Sequence, residues 1–337
     1  MQYNCDRMHA LSYSTMNQEI EKSKEVQVQF EEQSAQVDEL FQKPQGKSHF
    51  LGICIIIAAV ILGGSVIFSS RSEITGGQAL SDQSLAEIEK VVIPDKGVIL
   101  PIKWGDLGKQ LVENGSIDKQ KFDALYAQRG GLDDETKKLI YGINNGKLLI
   151  TKDNANVILN LLWALGLANK NEILDRGPIT DKQYGGDPGK FASTGGWTLA
   201  TGNPMDHYSR HSMILLTPEQ QSLVERTSKG IYRPCCGNST YFPDCNHGMA
   251  ILGLLELMAS QGVSEVDMYK AALAVNSYWF PDTYLTIARY LKSKGIAWNK
   301  AGAKEILGAN FSSQSGYKQI LDQVQPVTGG KGSSCGA

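Results

Sequence analysis

The side chains best able to do chemistry lie together in the second half of the chain. The stretch 233–249 reads R-P-C-C-G-N-S-T-Y-F-P-D-C-N-H-G-M. It supplies four candidate metal ligands: Cys235, Cys236, Cys245 and His247. Thiolate is a soft ligand and imidazole an intermediate one, a combination that suits Cu(I) or Zn(II) rather than Mg²⁺ or Ca²⁺. The spacing C-C-x8-C-x-H would let one loop supply most of a coordination sphere.

A second group of soft donors lies upstream, where Met205, His207, His211 and Met213 fall within nine residues. His207 and His211 are four residues apart, so on a helix both rings would share one face. Asn203-Pro204 is a plausible helix start, which favours a helix over the histidines. We therefore expect His207 and His211 to join the cysteines in one metal site, with a methionine as a further candidate ligand.

Two other roles for the cysteines stay open at this stage. If the domain lies outside the cytoplasm, its thiols would tend to oxidise, and Cys335 could take part in structural disulfides. Alternatively, one of the adjacent pair Cys235-Cys236 could attack a substrate disulfide while the other resolves it. The sequence contains no C-x-x-C pair and no C-x-x-C-H haem motif, so no spacing selects among metal, disulfide and redox chemistry.

One long apolar run divides the chain. Residues 50–68 read FLGICIIIAAVILGGSVIF and carry no charged side chain. At a rise of about 1.5 Å per residue, a helix of this length crosses the roughly 30 Å hydrocarbon core of a bilayer. We predict a single transmembrane helix over residues 50–69. Lys43 and Lys47 precede it, so the N-terminal side is expected to be cytoplasmic and the rest of the chain outside the cell membrane.

The span sets the expected domain organisation. Residues 1–49 form a polar cytoplasmic arm, 70–104 a linker and extended segment, 105–325 a helical ectodomain, and 326–337 a flexible tail. The fold class of the ectodomain is expected to be mainly α, because helix starts and stops recur and only one short strand, at 147–151, is indicated. A glycine-rich loop over residues 179–197 interrupts the helices, and a loop this long is usually functional or mobile.

The net charge of the chain limits the kinds of partner that it could bind. The net charge is −2 over 337 residues, so no basic surface indicates nucleic acid. The leading hypothesis is a single-pass, membrane-anchored extracytoplasmic protein that binds Cu or Zn through its Cys/His cluster. The alternative is a non-enzymatic envelope scaffold or assembly subunit, in contact with an envelope protein or a second copy, whose cysteines form disulfides. A third hypothesis is that the protein is an enzyme that uses the 179–197 loop as a lid, although the sequence indicates no reaction class.

Overall fold

The computed structural model describes residues 82–324. The predicted cytoplasmic arm, the predicted span at 50–69, the tail at 326–337 and Cys335 lie outside the described residues. Among residues 82–324, no helix is both long enough and apolar enough to cross a membrane.

Helices dominate the described part of the chain, which confirms the mainly α class. The α-helices are α1 Asp82–Val92, α2 Leu107–Glu113, α3 Lys119–Ala127, α4 Asp134–Tyr141, α5 Ala155–Ala168, α6 Glu172–Arg176, α7 Pro218–Lys229, α8 Asn246–Ser260, α9 Glu265–Trp279, α10 Pro281–Ser293, α11 Ala303–Ile306, α12 Ala309–Ser312 and α13 Gln314–Leu321. Short 3₁₀ turns occupy Pro178–Thr180, Lys182–Tyr184, Pro188–Lys190, Pro204–Asp206 and Trp298–Lys300.

A small antiparallel sheet joins β1, Val98–Gly105, to β2, Asn145–Ile150. β2 corresponds to the one strand that the sequence indicated. All of its partner β1 except Gly105 falls within the segment 70–104, which was expected to be linker and extended chain and which also contains α1. Inward-facing residues of both strands, such as Leu100 and Leu148, are buried, so the sheet covers one side of the helical core.

Helices α5 and α8 form the centre of the core, and nearly every residue of both is buried. They cross in unusually close contact because glycines lie at the crossing. A Cβ atom on Gly166 would lie 2.1 Å from the carbonyl oxygen of Met249, and one on Gly253 would lie 2.6 Å from that of Leu162. Backbone therefore packs against backbone, which fixes the position of α8 and of the cysteine that begins it.

Helix α7 is the largest element that the sequence analysis did not identify. It begins with a reciprocal capping box, in which the Thr217 hydroxyl accepts from the Gln220 N–H and the Gln220 side chain accepts from the Thr217 N–H. Pro218 follows at the first helical position. The sequence Thr-Pro-Glu-Gln at 217–220 is thus a recognisable pattern for the start of a helix. Its few buried residues, among them Val224 and Thr227, give only a weak apolar pattern.

Candidate functional site

Cys245 is positioned by the start of α8. Its backbone is extended, and its Sγ accepts a hydrogen bond from the N–H of Gly248 at 3.4 Å, so that a cysteine takes the N-cap role usually filled by Ser, Thr, Asp or Asn. The first turn of a helix presents unpaired N–H groups and a partial positive charge. This environment favours a thiolate on Cys245.

The other two cysteines meet Cys245 at the same point. The Sγ–Sγ distances are 3.6 Å for Cys235–Cys236, 3.6 Å for Cys235–Cys245 and 3.4 Å for Cys236–Cys245. All three are unbonded thiols and partly buried. Two thiolates on a tetrahedral ion with metal–sulfur bonds of about 2.3 Å would be roughly 3.8 Å apart. The triangle of sulfurs is therefore slightly tighter than the edge of a zinc–thiolate site and much wider than a disulfide bond of about 2.05 Å.

A fully buried arginine supports this triangle. The Arg233 side chain has no exposed surface, and its Nη2 lies 2.9 Å from Asp244 Oδ1 and 3.4 Å from Cys245 Sγ. Its Nη1 donates to the Asn238 carbonyl at 2.9 Å, while the Asn238 side chain donates to Asp244 Oδ2 at 2.7 Å. Gly248 makes room for the guanidinium, because a Cβ atom there would lie 2.7 Å from Nη2.

The electrostatics of the group concentrate negative charge on Cys245. Hydrogen bonds from Cys235 and Cys236, and then the positive charge of Arg233, hold the pKa of the Cys245 thiol well below its usual range despite burial. The pKa of Cys235 is raised, mainly by its hydrogen bonds with Cys236 and Cys245 and by burial. Burial also raises the pKa of Asp244, although Arg233 opposes the shift.

His247 completes the arrangement on the second residue of α8. Its ring centroid lies 4.3 Å from that of Phe280 and 5.7 Å from that of Trp279. The residue is buried, and its Nδ1 has no hydrogen-bond partner. A buried polar atom without a partner is costly, so this nitrogen is suited to receiving a ligand.

Two groups of possible metal ligands result within the described residues. One contains Cys235, Cys245 and His247, and the other contains Cys236, Asp244 and Cys245; in each group the ligand atoms lie within 4.8 Å of one another. Cys245 belongs to both. We refer to Cys235, Cys236, Cys245 and His247 as the cysteine cluster. Asp244 was not among the candidate ligands of the sequence analysis; its position next to Cys245 in the sequence was the available sign of this role.

His207 and His211 belong to neither group. They form a separate histidine pair, in which His207 Nδ1 lies 3.2 Å from His211 Nε2 and His207 Nε2 lies 2.9 Å from the Thr201 carbonyl. A carbonyl can only accept, so His207 carries its proton on Nε2. In the neutral pair, His207 Nδ1 is then the acceptor and His211 donates to it.

The helix expected over the histidine pair does not form. Only the 3₁₀ turn Pro204–Asp206 is present, and Ser209 adopts a left-handed conformation with φ of 52°. The chain instead lies across the end of α5, where the N–H of His211 donates to the Ala168 carbonyl and the N–H of Lys170 donates to the His211 carbonyl. These tertiary backbone hydrogen bonds replace the local ones of a helix.

The glycine-rich loop packs behind the cysteine cluster. Phe242 contacts both Tyr184 and Phe191, with ring centroids 4.8 Å and 5.4 Å away. The N–H of Ser193 donates to the Asp244 carbonyl, and the Ser193 carbonyl accepts from the buried Trp163 indole. The loop thereby helps to fix the backbone between Phe242 and Cys245.

The geometry suits a soft metal ion, because sulfur and nitrogen donors converge and one sulfur is already favoured as an anion. The same thiols could also form one disulfide by moving closer together. The chain matches no protein-family model, no curated protein and no solved structure, so a functional assignment depends on this geometry.

Proposed function

We propose that the protein binds a thiophilic metal ion, Cu(I) or Zn(II), through Cys235, Cys236, Cys245 and His247. The observation that carries the proposal is the convergence of three unbonded sulfurs, 3.4–3.6 Å apart, with the buried His247, which has a ring nitrogen within 4.8 Å of the Cys235 and Cys245 sulfurs. Three thiolates and one imidazole form a common structural zinc set, and thiolates also select Cu(I).

Arg233 and Asp244 act around the ion rather than on it in this proposal. Three thiolates and a divalent ion carry a net charge of −1, and a buried anion needs compensation. The guanidinium supplies a nearby positive charge, and Asp244 and the Asn238 carbonyl hold it in place. Such outer groups orient the ligands and tune metal affinity.

The cellular setting of the site comes from the sequence. The apolar run at 50–68 is the reason for proposing a single-pass membrane anchor, with the metal-binding domain outside the membrane. A protein of this kind would sequester, sense or deliver the ion at the cell envelope. His207 and His211 are left out of the proposed coordination sphere, because their ring nitrogens already contact each other and a backbone carbonyl.

Metal analysis of the purified full-length chain tests the proposal. Under anaerobic, reducing conditions the wild type is expected to bind one equivalent of Cu or Zn, whereas Cys235→Ser and His247→Ala should bind it less tightly. His207→Ala and His211→Ala serve as matched controls and should keep wild-type stoichiometry. A wild-type protein that retains no copper, zinc or iron would overturn the proposal.

Counting thiols in denatured protein distinguishes the structural alternative. If the cysteines bind metal, Cys235, Cys236 and Cys245 should all be counted as free thiols once the metal has been removed. Cysteines isolated as a stable pair from freshly purified protein would favour an envelope scaffold in which a disulfide staples the fold.

A further inference from the structure

A narrow cleft opens beside the cysteine cluster. It has a volume of about 200 Å³ and lies between the turn before the cluster, the start of α10 and helix α13. Its lining consists of Pro234, Cys235, Phe280, Pro281, Asp282, Thr283 and Tyr317. We call it the Cys235 cleft, because Cys235 is the member of the cluster that lines it.

The cleft adjoins one of the two ligand groups. Phe280 lines the cleft and also contacts the His247 ring, with centroids 4.3 Å apart. Cys235 and His247 share a ligand group with Cys245. Cys236, by contrast, is grouped with Asp244, which is held by the buried Arg233. An ion arriving through the cleft would therefore meet Cys235 before the sulfurs beside Arg233.

The charge of the lining suits a cation. Asp282 supplies a half-buried carboxyl group, and no lysine or arginine belongs to the residues that line the cleft. A concave surface of one charge sign concentrates ions of the opposite sign and speeds their arrival. Carboxylate oxygen is also a weaker ligand than thiolate for a soft ion, so it can hold such an ion briefly and release it inward.

We propose that the Cys235 cleft is the route by which metal ions enter and leave the cluster, with Asp282 as the recruiting group and Cys235 as the first sulfur ligand. This inference rests on the proposed function. In the first step, a metal–water bond breaks and a metal–Sγ bond forms, while the thiol proton of Cys235 passes to water. The ion then exchanges its remaining waters for the Cys245 thiolate, a ring nitrogen of His247 and Cys236, whose thiol proton also passes to water.

Blocking the cleft is the central test. Thr283→Trp places an indole in the cleft, so Zn²⁺ uptake by the metal-free full chain and its removal by a chelator should both slow by about tenfold, because the indole must move before an ion passes. The affinity should change little, because all four ligands remain. Lys292→Trp, on the exposed side of the same helix, is the matched control and should keep wild-type rates.

Asp282→Asn tests recruitment. Zn²⁺ uptake should slow by a few-fold at low ionic strength, and the difference from wild type should shrink as salt is added, because the carboxylate acts over a distance that salt screens. Equal uptake rates at all salt concentrations would remove Asp282 from the proposal.

Alkylation of the metal-free protein gives a readout that does not depend on metal binding. Iodoacetamide should modify Cys235 more slowly in Thr283→Trp than in wild type, with the extent of modification measured separately at each cysteine by mass spectrometry. If wild type binds Zn²⁺ but Thr283→Trp changes neither the rate of Zn²⁺ uptake nor the rate of alkylation, the entry route is wrong and the proposed function still stands. Wild type that binds no metal would overturn the proposed function, and with it the route as a metal path.

Discussion

The cysteine cluster and the histidine pair both contain side chains that can bind a metal ion, yet the fold uses these side chains differently. In the cluster, the sulfurs contact one another, and His247 Nδ1 has no partner. In the pair, His207 uses both ring nitrogens, one toward His211 and one toward the Thr201 carbonyl. The cluster therefore keeps one buried nitrogen without a partner and joins its sulfurs only by weak S–H contacts that a ligand can replace, whereas both ring nitrogens of His207 are used within the fold.

The surroundings of the two regions differ in the same way. The cluster lies at a helix start and against a buried cation, both of which stabilise negative charge. The histidine pair lies against Gly115 and near the exposed Arg210, and burial, His207 and Arg210 together lower the pKa of His211. A buried cation that contacts the thiolate, compared with an exposed one near two imidazoles, therefore distinguishes the two regions.

The largest expected effect comes from removing the buried cation of the cluster. Arg233→Met should destabilise the protein by about 3–5 kcal/mol, because Asp244 and the Cys245 thiolate lose a buried partner. Urea unfolding of both proteins measures the difference. Arg210→Met, in the histidine segment and exposed, should stay within about 0.5 kcal/mol of wild type. Similar losses for the two variants would break the contrast.

Metal affinity gives the next largest effect. Cys245→Ser should weaken Zn²⁺ binding by more than about 100-fold, since Cys245 belongs to both ligand groups and a lost ligand should cost more than a lost supporting group. Competition with a zinc indicator measures the affinity. The double variant His207→Ala/His211→Ala should bind as wild type does; a comparable loss there would bring the histidines back into the coordination sphere.

A buried carboxyl group beneath the histidine segment gives a moderate effect. Glu256 is fully buried; Asn169 donates to its Oε2 at 2.6 Å and also to the Ile214 carbonyl. Burial raises the pKa of Glu256 well above its ordinary value. The folded state then binds the proton more tightly than the unfolded state, so the contribution of Glu256 to stability is present below the ordinary carboxyl pKa and is lost as the pH rises.

Glu256→Gln should therefore raise the melting temperature at pH 8 by a few degrees and have little effect near pH 4.5. Asn169→Ala would remove the donor itself and is expected to destabilise at both pH values. If Glu256→Gln instead lowers the melting temperature equally at pH 8 and pH 4.5, the buried Glu256 carboxylate does not destabilise the protein at high pH.

The smallest expected effect concerns the histidine pair in acid. Burial, the nearby His207 and Arg210 lower the pKa of His211. A base with a lowered pKa in the folded state contributes stability above its ordinary pKa of about 6.5, and this contribution is lost as the pH falls through the folded value. His211→Asn should flatten the melting temperature slightly between pH 7 and pH 5. If the melting temperature of His211→Asn depends on pH as that of wild type does, the histidine pair is not an acid-sensitive contact.

Much of the helical fold was predictable because helix signals are local. The starts of α9 at Ser264 and α10 at Pro281 follow caps and proline positions that are visible in the sequence. Strand β1 and its pairing with β2 were not predictable in the same way, because a sheet pairs segments distant in sequence. The histidine segment failed as a helix for a similar reason, since its backbone bonds to the end of α5.

The sequence by itself determined the donors: three cysteines and a histidine within thirteen residues, with the C-C-x8-C-x-H spacing and soft-metal chemistry that these imply. Only the tertiary structure decided which donors converge. It did so by capping α8 with Cys245 and burying Arg233 beneath the sulfurs, while a left-handed turn at Ser209 turned the histidines toward each other. Ligand chemistry is a property of residue type, but convergence depends on packing between segments that are distant along the chain.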